Sequence, residues 1–458
     1  MAPQPLGIVV FSGGSATNSL VDVFEHVRQT SGSSLSYVMP ISDNGGSTSE
    51  IIRVFGGPGI GDSRSRLVRL IPDTGDAETL AIKRLFNHRL PAAADDARAE
   101  WFDVLEARHS LWTAISSPKR ELIRSHLNNF HLEAVRRMRP GSRFSFSKAS
   151  LGNLFLTGAR LFTGSFEAAI YLLAAICALP ERVAVLPAIE TNFAHHIAAG
   201  LRDGTVITGQ NDISHPCPVQ GGHGDDDDDD DHHHHHHHHD GVEDANLPGS
   251  LPALRRPAID FCKDGDDHLP ARIDRVWYIN PYGHEIHIPA NPRVLDALAT
   301  ADTVVYSIGS LYTSLVPNLV LRGIGDAITN TRIRNKILIL NGTNDRETGP
   351  LSDPFTALDF VAAIADACAD SRGVGRLARD EYSRYVTHVL YLQCSGAPEV
   401  DRQRLASLGI DSTRLYGPRD EQGKAGRYDG KALTQALESI VGRKNTSLDR
   451  SRRNTLVG

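Results

Sequence analysis

Four times this chain repeats one pattern: a short apolar run, a loop of glycine and small polar residues, then a helical segment. Leu6–Phe11 runs into Ser12-Gly13-Gly14-Ser15, and Leu35–Ile41 into Asp43-Asn44-Gly45-Gly46-Ser47. Asp302–Ile308 runs into Gly309-Ser310 and Tyr312-Thr313-Ser314, and Lys336–Leu340 into Asn341-Gly342-Thr343-Asn344. Apolar runs of strand length alternating with helical periodicity predict βα units and a parallel sheet. In such a sheet all strand-to-helix loops lie at the carboxyl edge, where ligands sit at a topological switch point. The expected fold is α/β, a Rossmann-like, doubly wound and mostly parallel sheet. Asp203-Gly204, between Ala194–Leu201 and Val206–Ser214, adds an antiparallel hairpin.

The core is expected in two parts, residues 1–215 and 271–442. A polar helical block at about 72–148 reads as an insertion, with Trp101, Phe102, Leu105, Leu111 and Trp112 as packing residues. His88, His109, His126 and His131 in that block read as surface or packing residues rather than ligands. Residues 216–270 carry Asp225–Asp231 and His232–His239 among Pro, Gly and Asp, a composition that builds no core and predicts a disordered insert. The same is expected of the basic tail, 443–458.

Charge narrows the partners. The net charge is −7, and the Asp225–Asp231 run alone supplies that much, so the body is near neutral. No basic face points to nucleic acid. No apolar stretch approaches the ~20 residues of a membrane span. Five widely spaced cysteines form neither C-x-x-C nor a disulfide framework, and the N-terminus has no secretory pattern. A cytoplasmic protein is expected, with a homodimer left open.

The chemistry concentrates in Ile41–Leu67. The Asp43–Ser47 turn presents backbone N–H groups toward one point, a nest suited to phosphate. A second loop, Gly56-Gly57-Pro58-Gly59-Ile60-Gly61, delivers Asp62, Arg64 and Arg66. Carboxylates such as Asp43 and Asp62 suit a hard cation like Mg²⁺, while guanidinium groups fork onto phosphate oxygens. On spacing alone, Asp43 serves equally as a turn former and Asp62 as a helix cap. The first loop, Gly13-Gly14-Ser15, could also take phosphate at a helix N-terminus. It lacks the later glycines of G-x-G-x-x-G, which disfavours NAD, and no P-loop motif occurs. The four loops together suggest one crevice for a phosphate-rich ligand, with Gly309, Ser310, Thr313 and Asn341 on its far side. Asn153 reads as a ligand contact or a helix cap.

Ser42-Asp43-Asn44-Gly45-Gly46-Ser47 followed by Pro58-Gly59-Ile60-Gly61-Asp62-Ser63-Arg64 resembles the signature of the family joining 2-phospho-L-lactate transferase (CofD) to YvcK-type proteins. Ser150–Leu154, Leu201–Val206 and Ile308–Asn318 resemble it too. Gly152-Asn153 matches the family's Gly-Asn-Leu, but Lys148-Ala149-Ser150 replaces the His-Ser that commonly precedes it there. The resemblance implies a nucleoside diphosphate or nucleotide-sugar type ligand. In the CofD branch, a phospholactyl-type group moves from a guanosine diphosphate adduct to a deazaflavin hydroxyl, with Mg²⁺ on Asp43 and Asp62 and Arg64 or Arg66 at the transferring group. The YvcK branch implies a nucleotide-sugar-binding regulator without turnover. The Asp/His tract, of a kind that grows readily in eukaryotic genomes, weakens the deazaflavin acceptor but not diphosphate binding.

Overall fold

A computed structural model describes residues 6–73, 75–139, 143–214, 251, 254, 269–350, 352–418 and 426–442. The tail expected to be disordered lies outside them, as does the Asp/His insert apart from residues 251, 254, 269 and 270.

The chain opens with β1 (Gly7–Phe11), α1 (Val21–Ser31) and β2 (Ser34–Met39). Two short helices follow, α2 (Ser47–Phe55) and α3 (Gly61–Arg69). Then come α4 (Ala77–Asn87), α5 (Ala94–Leu105) and α6 (Ser117–Arg137). Next are α7 (Leu151–Thr163), α8 (Phe166–Ile176) and β3 (Val183–Pro187). The hairpin β4 (His196–Leu201) and β5 (Val206–Thr208) leads to α9 (Gln210–Ser214). After the insert stand β6 (Ile273–Ile279), β7 (Glu285–Ile286), α10 (Pro292–Thr300) and β8 (Ala301–Tyr306). A π-helical turn, Leu311–Leu315, continues into α11 (Val316–Leu319) and then α12 (Ile324–Ile328). The chain ends with β9 (Asn335–Ile339), α13 (Ala357–Ser371), β10 (His388–Leu392), α14 (Arg402–Ser407), β11 (Asp411–Leu415) and α15 (Gly430–Val441).

Seven strands form one sheet in the order β11-β10-β9-β8-β1-β2-β3, every neighbouring pair parallel. The chain winds outward from β1 through β2 and β3, then returns to β8 on the other flank and winds the opposite way. The switch point falls between β1 and β8, paired from Ile8 opposite Thr303 to Phe11 opposite Tyr306. Central strands are buried on both faces, and β1 reads accordingly as an unbroken apolar run, while β8 buries Asp302 and Thr303 along with its apolar residues. A second sheet, β5-β4-β6-β7, is antiparallel.

Several helix starts are capped as their sequences dictate. Asp76, Ser165, Asn291 and Asp429 each accept a backbone N–H of the first turn. The hairpin is shorter than its sequence pattern suggests. Val206 pairs through Thr208, after which Gly209, at φ +93°, turns the chain into α9. Trp101 and Trp112 are buried, as their packing role requires, and so is much of the face that α4 and α6 turn toward α7. No helix among the described residues is long and apolar enough to cross a membrane.

Candidate functional site

The loops after β1 and β8 flank the switch point and are tied together. The Thr17 hydroxyl donates to Ile308 O at 2.7 Å and lies 3.0 Å from Ser307 Oγ. The loops after β8 and β9 are clamped in turn: Gly309 N–H donates to Asn341 Oδ1, and Asn341 Nδ2 donates back to Gly309 O, both at 2.9 Å. Tyr312 and Thr313 N–H donate to Glu347 Oε2 at 2.9 and 3.0 Å, and the Thr313 hydroxyl meets Oε1 at 2.5 Å. In this conformation the polar groups of Thr313 and Asn341 thus join loop to loop. Burial, with Asp345 adding to it, pushes the Glu347 carboxyl up to about 8.

Two aspartates from neighbouring loops meet on the other side. Asp62, in the first turn of α3, accepts the Gly14 N–H, and a Cβ on Gly14 would lie 2.4 Å from its Oδ1. Asp43 Oδ1 accepts the Gly45 N–H at 3.1 Å, and a Cβ on Gly61 would lie 2.5 Å from its Oδ2. Glycine at both positions is therefore a condition for the carboxylates to sit where they do. Burial first, then the Asp43 charge, pushes the Asp62 carboxyl up to about 7. Burial raises Asp43 too, against the pull of Gly45 N–H and Arg64.

The arginines differ in use. Arg66 is fully buried, lies 4.6 Å over the Tyr37 ring, and donates to Ser12 Oγ and Gly13 O at 3.3 and 3.0 Å. It holds the first loop from beneath and puts positive charge under it. Its Nε and Nη1 have no partner among the described residues, and burial pulls it down to about 10. Arg64 Nη1 donates to Asn87 Oδ1 at 3.3 Å. Among the described residues neither Arg64 nor Arg66 forms an ion pair with Asp43 or Asp62. Buried charges of both signs left unpaired in one place are costly unless a ligand compensates them.

Amide oxygens complete the wall. Asn153 Nδ2 donates to Ser47 Oγ at 3.0 Å and Asn211 Nδ2 to Asn44 O at 3.1 Å. The Oδ1 atoms of Asn44, Asn153 and Asn211 are buried without a partner among the described residues. Gly46, at φ +54°, turns the chain into α2 beside them, and Ser15 and Ser310 stand at helix starts without a side-chain cap. Gln210 and Asn211 were absent from the sequence expectations. They come from α9, whose short Gln-Asn-Asp run carries no motif and reaches the Asp43 loop only through the fold.

His88, Glu100 and His109 also gather, with candidate ligand atoms within 4.8 Å of one another. Leu111 N–H donates to His109 Nδ1 at 3.2 Å, which leaves the proton of neutral His109 on Nε2, 3.4 Å from Glu100. In that tautomer His109 has no free ring-nitrogen lone pair for a metal, while His88 Nε2 hydrogen-bonds Glu100 Oε1. Elsewhere, a cavity of about 380 Å³ between β6 and α13 borders Asp274, Phe355 and Asp366, and includes Tyr312 from the crevice loop.

The sequence of the family described as 2-phospho-L-lactate transferase CofD matches residues 8–412. The chain belongs to the CofD family. It is similar to the uncharacterised protein YNL011C of Saccharomyces cerevisiae, 39% identical over 86% of this chain and 92% of that one. A gluconeogenesis factor of Halalkalibacterium halodurans is 24% identical over 96% of this chain and 97% of its own length. The crystal structure of protein BH3568 from Bacillus halodurans shares the fold, with a TM-score of 0.59 at 20% identity over 95% of this chain and 99% of that one.

Proposed function

We propose that this CofD-family chain binds a nucleoside diphosphate-linked acid in the switch-point crevice and transfers its phospho-acyl type group to a hydroxyl acceptor, with Mg²⁺. The observation that carries the reading is the Asp43–Asp62 pair, two buried carboxylates beside glycine-rich turns, with the Asp43 charge adding to the cost of ionising Asp62. Like charges so placed favour a cation between them. Their all-oxygen donor set fits Mg²⁺, which takes one or two carboxylates plus substrate phosphates. Bound there, Mg²⁺ would neutralise phosphate charge as it shifts toward the departing nucleotide. The Gly13–Ser15 turn, with Arg66 beneath it, and the Asn44–Ser47 turn would hold the diphosphate oxygens. Arg64 would face the transferring group. The unpartnered amide oxygens of Asn44 and Asn211 would take N–H or O–H donors from the base or sugar.

A second reading is a YvcK-like nucleotide-sugar binder without turnover, favoured by the gluconeogenesis-factor name of relatives that align over nearly their whole length. Both readings share the crevice and differ in chemistry. Native mass spectrometry of the purified protein is expected to show a co-purifying nucleotide. Calorimetry is expected to show GDP binding that needs Mg²⁺ and is weakened in Asp43→Asn. Release of a nucleoside monophosphate from a diphosphate adduct, lost by orders of magnitude in the same variant, selects the transferase. Affinity loss with no turnover in wild type selects the binder. Equal binding by wild type, Asp43→Asn and Asp62→Asn, with or without Mg²⁺, removes the metal from both.

A further inference from the structure

Residues 88–91 and 148–151 run antiparallel. Lys148 N–H donates to Pro91 O, Leu90 N–H to Ala149 O and Leu151 N–H to His88 O, at 2.9, 2.9 and 3.0 Å. This short ladder sets Arg89 opposite Ser150, the residue before α7. The N-terminus of this 13-residue helix is therefore framed by the helical insertion on one side and α3 on the other.

Three features at that helix start call for an anion. First, Ser150 makes no side-chain cap, and its Oγ is fully buried without a partner among the described residues. Second, Arg64 lies across the first turn of α7. A Cβ on Gly152 would fall 2.6 Å from Arg64 Cδ, so glycine is what admits the guanidinium stem. Arg64 is only 9% exposed, its Nε has no partner, and among the described residues it pairs with no carboxylate. Third, Arg89, paired across the ladder with Ser150, brings a second guanidinium close enough to oppose the charge of Arg64, and its Nη1 donates to Lys148 O at 3.3 Å. Two cations and the positive end of a helix dipole converge there, and among the described residues neither guanidinium is in ion-pair contact with a carboxylate, although Asp62 and Asp43 act on Arg64 from further off.

We propose that the N-terminus of α7, with Arg64 and Arg89, is a second anion subsite that holds the carboxylate or phosphate of the group attached to the nucleotide diphosphate. The inference rests on the reading of the crevice as a diphosphate site. It adds a grip on the acidic end of the ligand next to the Asp43–Asp62 pair, whose charges Arg64 also feels, and assigns Arg89 as its selectivity residue. A guanidinium fork suits both oxyanions, so the shared chemistry is a planar or tetrahedral group of anionic oxygens. Ser150 Oγ adds one donor. Asn153, one residue past Gly152, offers its unpartnered Oδ1 to a hydroxyl beside that group.

The test uses the full chain and two probes, GDP with Mg²⁺ for the diphosphate side and 2-phosphoglycolate for the subsite. Arg89 is exposed, so Arg89→Ala is expected to fold, which a melting curve checks. In calorimetry, Arg89→Ala is expected to weaken 2-phosphoglycolate at least tenfold while shifting GDP less than threefold, with Arg89→Lys between. Inorganic phosphate competing as well as 2-phosphoglycolate assigns the subsite to the phosphate, and acetate competition assigns it to the carboxylate. Wild type that binds 2-phosphoglycolate but not GDP leaves the subsite standing and overturns the diphosphate reading. Wild type that ignores 2-phosphoglycolate, or Arg89→Ala that weakens both probes equally or neither, overturns the subsite.

Discussion

At the scale of single residues, Asp62 is held where its charge is disfavoured by burial and by Asp43, with only the Gly14 N–H and distant guanidinium groups in its favour. Asp62→Asn removes a like charge while keeping nearly the same shape. The metal-free variant is therefore expected to melt no lower than wild type at pH 8, and the stabilisation that Mg²⁺ adds to wild type is expected to vanish. Differential scanning calorimetry with and without Mg²⁺ checks both halves. A variant that melts several degrees lower without metal would show that the carboxylate is a structural hydrogen-bond partner instead. His196 behaves in the opposite sense. Burial first, then His195, pulls its imidazole down to about 4 against an ordinary 6.5. Its folded pKa lies below the unfolded one, so the unfolded chain binds more protons between those values. The stabilisation is complete above about 6.5 and is lost as pH falls toward 4, by about 3 kcal/mol if the whole shift is realised. His196→Leu is expected to flatten the urea-derived stability profile between pH 7 and pH 4.

At the scale of elements, strands buried on both faces were legible because an apolar run of that length has few alternatives. β1 falls within its expected segment, and β2, β8 and β9 each begin one residue before theirs. β11 and α14 escaped notice for the converse reason: β11 is an edge strand, Asp-Ser-Thr-Arg-Leu, exposed along most of its length. Asp43 and Asp62 were legible because glycine crowds around them, and the structure shows that crowding to be steric. The partnership of Glu347 with Tyr312 and Thr313 was not legible, since it joins loops 34 and 35 positions apart through a carboxylate outside any motif. That carboxylate is what fixes the π-helical turn beside the crevice. Glu347→Ala would leave two buried N–H groups unpaired, at about 1–3 kcal/mol each. The expected result is a loss of a few kcal/mol in denaturant unfolding, with most of it recovered by Glu347→Gln, which keeps an acceptor. Equal losses in both variants would trace the effect to charge instead of to the two N–H groups.

For the whole molecule, the decisive feature is that every loop near the switch point comes from a different stretch of chain. The β1 loop is joined to the β8 loop through Thr17, the β8 loop to the β9 loop through Asn341, and the β2 loop to α9 through Asn211. A ligand seated among them bridges both windings of the sheet, and it binds the folded chain only. By mass action, a ligand at one hundred times its dissociation constant stabilises by about 2.7 kcal/mol. GDP with Mg²⁺ is expected to raise the melting temperature by an amount that grows with the logarithm of its concentration. NAD is expected to do little, because the first loop has no second and third glycine to let a dinucleotide pyrophosphate approach the backbone. Both compounds carry a diphosphate but differ in base and in what the second phosphate bears, so the comparison separates a nucleoside diphosphate site from a dinucleotide one. A larger shift with NAD than with GDP, GTP or UDP-sugars would place the site in the dinucleotide class and take Asp43 and Asp62 out of the diphosphate argument.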